Sequence, residues 1–159
     1  MFSRTPQDVQ ADLDSLGLDI HVQIFEASTA TAPQAAAAIG TELGSIVKSL
    51  CFVVDGEPLL VLAAGDRLVD DRKLAALYGV GRKKVHIADA ETTLQATGYA
   101  PGGVAPLGHP RPLTILIDST FERYEVVYAA AGSPNAIFPI PLKTLVQITG
   151  GQLADLAKE

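Results

Sequence analysis

The chain has 159 residues, 48% apolar and 19% charged, enough apolar material for one core and too little polarity for wholesale disorder, so a single domain over 1–159 is expected. Twelve Lys and Arg against eighteen Asp and Glu give a formal net charge of −6, which argues against a DNA-coating protein and against sequence-specific DNA as a partner, while leaving room for a local basic patch. The single cysteine, Cys51, excludes an internal disulfide and a Cys-rich metal site.

Met1 to Gln10 carry one Arg and no apolar run, a pattern of neither a signal nor a transit peptide. No window approaches the ~18 to 20 apolar residues of a membrane span, so a cytoplasmic protein without a membrane partner is expected. The first element reads as a helix capped by Thr5, with Pro6 in its first turn, Asp8 three residues after the cap, and Val9, Leu13 and Leu16 on one face up to Gly17. Asp19 to Glu26 alternates like a half-buried strand. Thr31 and Gln34 have capping-box spacing for a second helix through Ala35 to Ile39, ended by Gly40.

Val47 to Val54 and Pro58 to Ala64 flank Asp55-Gly56-Glu57 and read as a hairpin. Asp70 or Asp71 caps a third helix with Leu74 and Leu77 inward, ending at Gly79. Val85 to Ile87 is a short strand, and Asp89 caps a fourth helix to Thr97. Leu113 to Asp118, Glu125 to Ala131 and Ile137 to Ile140 read as strands, and Pro141 opens a last helix closed by Gly150-Gly151. Strands occur both in hairpin pairs and between helices, which predicts an α+β protein with a mixed, not doubly wound parallel, sheet.

No phosphate loop, H-E-x-x-H or G-x-S-x-G elbow is present, and His21, His86 and His109 lack metal-ligand spacing. Gly79-Val80-Gly81 lacks both the third glycine and the preceding strand of a dinucleotide fingerprint. The segment Gly98 to Pro112 holds four glycines and four prolines in fifteen residues. Glycine permits close ligand approach and proline stiffens the flanks, which suits a groove of bare amides that binds a carbonyl or phosphate; a plain helix-to-strand connection is the other reading.

Lys48 interrupts the apolar run Ile46 to Phe52. Alternation places it with Leu50 and Phe52, so it either opens into a pocket or projects outward near the strand's start. Between Arg67 and Lys84 lie six basic residues and two acids, including Arg82, Lys83 and Lys84. That run reads as an RNA-backbone surface or as a solvated face. Asp118 at a strand end orients a donor or caps a turn, Gly132 ends a strand of small residues that can form a pocket wall, and Cys51 reads as a buried inert thiol.

The chain resembles the YbaK-like family of trans-editing aminoacyl-tRNA deacylases, related to the insertion domain of bacterial prolyl-tRNA synthetase, from about Ile20 to Leu156. The carriers are Val47-Lys48-Ser49-Leu50, Thr97-Gly98-Tyr99, Gly102 to Gly108, Ile117-Asp118, and the Tyr128 to Gly132 strand end. The resemblance implies a YbaK-like fold with a curved, mostly antiparallel sheet surrounded by helices. It places the family's essential lysine on Lys48 and its G-x-x-x-P loop on Gly102, Gly103, Val104, Ala105 and Pro106. It implies hydrolysis of the ester of a mischarged tRNA, with the acceptor end of proline tRNA as substrate, prolyl-tRNA synthetase as a possible partner, and no cofactor or metal. Phe25 and the Ala130-Ala131-Gly132 strand end stand where family members vary, so they are expected to shape a pocket for a small amino acid. A non-catalytic module that holds a small ligand or an aminoacyl-RNA end in the same pocket is the alternative.

Overall fold

The structure is a computed structural model that describes residues 3–159, so Met1 and Phe2, the start of the segment read as lacking a leader, lie outside the described residues. In chain order it contains α1 (Pro6–Ser15), β1 (Gln23–Ile24), α2 (Ala32–Ile39), β2 (Ile46–Val54), β3 (Glu57–Ala64), α3 (Asp71–Leu77) and β4 (Val85–Ile87). These are followed by α4 (Ala90–Thr97), β5 (Ile115–Asp118), β6 (Val126–Ala130), β7 (Ala136–Pro141), α5 (Leu142–Thr149) and β8 (Gln152–Ala154). The strands form one sheet in the order β1-β7-β6-β2-β3-β5-β8, with β4 also on β2. Four pairings are antiparallel and three parallel. The mixed α+β class expected from the sequence is the one observed.

The helices start where local chemistry dictates. Thr5 and Asp8, and Thr31 and Gln34, close reciprocal capping boxes, while Asp70 and Asp89 accept from the first-turn amides of α3 and α4. β2 and β3 pair from Val47↔Ala64 to Val54↔Glu57 through a two-residue turn, Asp55 and Gly56, both with positive φ. That conformation matches the twist of a hairpin.

Period-2 alternation splits β2 between two cores. Val47 and Cys51 pack under α1, α5 and the Gly98–Pro112 segment with Val9, Leu13, Tyr99 and Leu145, whereas Phe52 and Val54 pack under α3 with Leu74 and Ala75. A third cluster seats Ala32, Ala35 and Ala36 of α2 on Ile46 and Ile137. Fully burying a Leu-sized side chain contributes about 1.5–3 kcal/mol, so these three clusters fix the helices on the sheet.

Several expectations are corrected. Only Gln23 and Ile24 of the Asp19–Glu26 segment form a strand, and Ile24 is exposed. The reason is that the Gln10 side chain takes the Ile20 carbonyl and the Val22 amide at 2.9 and 2.8 Å, in place of a strand partner. Leu16 and Leu77 are exposed because each sits at the end of its helix, past the last buried turn. The edge strand β8, three residues pairing in parallel with β5, was not predicted because so short a run after Gly150-Gly151 has no legible period.

Candidate functional site

A break in the sheet creates the site. On the edge of β2 away from β3, β6 pairs only at Ile46↔Tyr128 and Val47↔Ala129, and β4 pairs only from Phe52 onward. Between them, the Ala88 amide donates to the Cys51 carbonyl at 2.9 Å. The unpaired stretch at Lys48, Ser49 and Leu50 opens into a cavity of about 350 Å³, closed by Thr29 to Pro33 at the start of α2, Gly102 and Val104, and Ala130 at the end of β6. That size suits a small organic group.

Lys48 is half-buried in the wall. Its Nζ donates to the Arg67 carbonyl at 2.6 Å, and burial lowers its pKa, with nearby Asp66 opposing the shift. Asp66 accepts two bonds from Arg123, at 2.8 and 2.9 Å, and pairs with Arg67 at 3.1 Å. Arg123 holds the Asp66 carboxyl below the usual range. The carboxylate therefore steadies both the residue that anchors Lys48 and the field around it.

The loop after α4 is ordered from inside. Tyr99 is completely buried and donates its hydroxyl to the Leu107 carbonyl at 2.7 Å, bridging the loop's base. Gly103 closes a tight turn by donating to the Ala100 carbonyl at 3.2 Å, and its own carbonyl accepts from the Gly132 amide at 2.9 Å. Among the described residues, the amides of Gly102 and Val104 have no hydrogen-bond partner, and both residues border the cavity. The amides free to meet a ligand are thus those on either side of Gly103; the turn consumes the Gly103 donor itself.

Lys48, Gly102 and Val104, singled out in the sequence, share this cavity. The other candidates lie elsewhere. Gly103 and Gly132 stand behind the wall, where a Cβ on Gly103 would lie 2.8 Å from the Ser133 amide nitrogen. Pro106 borders a separate outer hollow with Leu107 to Leu113. Phe25 packs on the α2 cluster. Asp118 is 1% exposed and spends its oxygens on the Thr120 hydroxyl and the Leu156 amide, so it ties the turn after β5 to the C-terminal segment and does not cap the amides of that turn.

Arg82, Lys83 and Lys84 form an exposed helical turn before β4, with Arg82 on Asp71 at 2.9 Å. The Lys84 carbonyl accepts from Asp55 at the far end of β2. Six residues at about 3.3 Å each put Lys48 and Val54 some ~20 Å apart, so this basic run meets the surface well away from the cavity.

The sequence reading missed Ser49. Ser49 lines the cavity, and its buried hydroxyl has no hydrogen-bond partner among the described residues, a state that costs free energy. The available signal was a hydroxyl amid an apolar strand, next to Lys48. Thr29 and Tyr128 on the cavity wall were also missed, because chain distance hides their approach. Among the described residues no helix is long and apolar enough to cross a membrane, and Cys51 is free and buried.

The aminoacyl-tRNA editing domain matches residues 26–148. YwhH of Bacillus subtilis is 34% identical over 126 residues, covering 79% of this chain and 78% of its own length. An Enterococcus faecalis protein named "Putative Cys-tRNA(Pro)/Cys-tRNA(Cys) deacylase EbsC" is 28% identical over 130 residues, covering 79% of this chain and 76% of its own. A crystal structure described as that of "a putative trans-editing enzyme for prolyl tRNA synthetase" superposes with a TM-score of 0.90 at 38% identity, covering all of both chains. The chain belongs to the aminoacyl-tRNA editing domain family, the YbaK-like family that its sequence resembles.

Proposed function

We propose that this member of the editing-domain family is a deacylase that acts in trans, hydrolysing the ester between a small non-cognate amino acid and the 3′ end of proline tRNA. The observation that carries the reading is that Lys48, Gly102 and Val104 line one cavity, and that the amides of the latter two have no hydrogen-bond partner among the described residues. An aminoacyl ester is already activated, so its hydrolysis asks for a positioned water and donors at the developing oxyanion.

In this reading the loop amides donate to the acyl oxygen, and Lys48 either polarises the carbonyl or holds the terminal nucleotide. Water adds to the carbonyl carbon, the carbon–oxygen bond to the ribose breaks, and the ribose oxygen leaves with a proton. The products are free amino acid and uncharged tRNA. One oxyanion donor is worth about 2.7–4 kcal/mol in comparable sites, enough to outpace spontaneous hydrolysis. Ala130, Ala32 and Ala35 narrow the cavity, which supports a small acyl group. One methylene is worth only ~1–3 kcal/mol in a hydrophobic pocket, which is why a separate editing step is useful.

The reading implies the tRNA acceptor end as partner, association with prolyl-tRNA synthetase, and a cytoplasmic setting. Lys48, Gly102 and Val104 carry the chemistry in it; Gly103, Pro106 and Gly132 shape the loop, Phe25 and Asp118 act at a distance, and Arg82, Lys83 and Lys84 are the proposed RNA contacts. The test is deacylation of proline tRNA charged with Ala, Ser, Thr or Cys. Loss of at least one ester faster than its spontaneous decay supports the enzyme. Equal decay with and without protein across the panel, alongside measurable binding, favours a non-catalytic module.

A further inference from the structure

Arg4, in the segment before α1, reaches the cavity loop at both ends. Its backbone amide donates to the Gly98 carbonyl at 2.9 Å, at the loop's entrance. Its Nη1 lies 2.9 Å from the Gly108 carbonyl at the exit, 3.1 Å from the Tyr99 hydroxyl and 2.5 Å from Asp12 Oδ2 in α1. The guanidinium carbon sits 5.8 Å from the centre of the Tyr99 ring. The next two residues support the loop's middle. Gly132 is packed so closely on Thr5 and Pro6 that a Cβ there would lie 2.8 Å from the Thr5 carbonyl carbon, and the Gly132 amide in turn holds the Gly103 carbonyl. A Cβ on Gly108 would collide with the Arg4 guanidinium, so the loop exit is shaped around this side chain.

We infer that Arg4 is a positioning residue: it clamps the loop from outside so that Gly102 and Val104, whose amides are unpartnered among the described residues, keep a fixed place on the cavity wall. This rests on the reading of the loop as the acyl cradle. Arg4 does not line the cavity and so acts only through the loop. All three contacts run to the one nitrogen Nη1, whose two N–H donors are shared among Asp12, the Tyr99 hydroxyl and the Gly108 carbonyl. A lysine amine sits one bond closer to its backbone and lacks the planar group that lies beside the Tyr99 ring. Misplacing a reacting group by about 1 Å costs on the order of a hundredfold in rate, so slackening of this clamp is felt in turnover more than in binding.

The test compares the full chain with its Arg4→Lys, Arg4→Ala and Tyr99→Phe variants. Amide hydrogen exchange is read at Gly103 and Gly132, and kcat and KM are measured on whichever mischarged tRNA the parent hydrolyses. Expected are exchange at both amides faster by about tenfold, and kcat per folded molecule lower by about tenfold or more with KM little changed. A merely structural role would lower the melting temperature and the folded fraction but leave kcat per folded molecule unchanged. If Arg4→Ala does not fold, Arg4→Lys and Tyr99→Phe decide. Parental exchange at both glycines, or kcat within about twofold of the parent in folded variants, overturns the inference. A parent inactive on every mischarged tRNA would instead overturn the deacylase reading, and the exchange measurement would still judge the clamp.

Discussion

Lys48 Nζ donates to the carbonyl oxygen of Arg67 at 2.6 Å, fixing a half-buried ammonium to a backbone position that Asp66 in turn braces. One of its three protons is spent on that carbonyl, which leaves two. The amine is neither loose in solvent nor neutralised by a carboxylate in direct contact, and burial lowers its pKa.

Ser49→Ala should leave stability unchanged or raise it by up to about 1 kcal/mol, because the buried hydroxyl it deletes bonds to nothing among the described residues. Urea unfolding of the two proteins checks this, and a loss of 2 kcal/mol or more would show that the hydroxyl is satisfied in solution. Turnover should fall in the same variant if a substrate group completes the hydroxyl.

Gly103→Ala should destabilise the fold by about 1–3 kcal/mol and abolish deacylation. The new methyl would meet the backbone of Ser133 and Gly132, which cannot swing aside as a flexible side chain would. Thermal melts and single-turnover rates read the two effects separately.

Burial lowers the pKa of His109, whose Nε2 lies 2.9 Å from the Ala105 carbonyl in the loop. A depressed histidine binds fewer protons folded than unfolded. Its contribution is therefore present above the ordinary value of about 6.5 and is lost as pH falls from there through the folded pKa. Stability should decline on acidification below pH ~6.5, and His109→Gln should flatten that slope; parallel slopes in urea midpoints would contradict it.

Reversal of Arg82, Lys83 and Lys84 to Glu should raise KM for tRNA several-fold, steepen at low salt, and leave kcat and the melting temperature near the parent. The three side chains are exposed or on a surface turn and touch no core. Because they stand ~20 Å along β2 from Lys48, an unchanged KM would assign the RNA path to another face.

Much of the fold was legible because its signals are local. Thr5 with Asp8 and Thr31 with Gln34 announce helix starts, and Asp55-Gly56 between two apolar runs announces the hairpin. The site was legible in part. Lys48 stands out as a charge in an apolar strand, and Gly102 as one glycine of a stiff loop, and the two meet in one cavity.

What the sequence hid is long-range. Ser49 borders the cavity because β6 leaves β2 after Val47, and nothing local marks where a parallel partner stops. Arg4 holds Gly108 across 104 residues, and Tyr99 looks like a loop residue until it is found completely buried. Gly103 reads as a ligand-facing glycine, but its amide is consumed by its own turn.

The most direct test of the central claim uses a non-hydrolysable amide analogue of alanyl-adenosine, with backbone amide shifts followed by NMR. Binding should move the Gly102 and Val104 amides, whose protons have no partner among the described residues, and Lys48→Ala should weaken that binding by about tenfold or more. Shifts confined to the wide groove bordered by Tyr124, Val126, Leu142 and Leu153, with Gly102 and Val104 unmoved, would contradict the account.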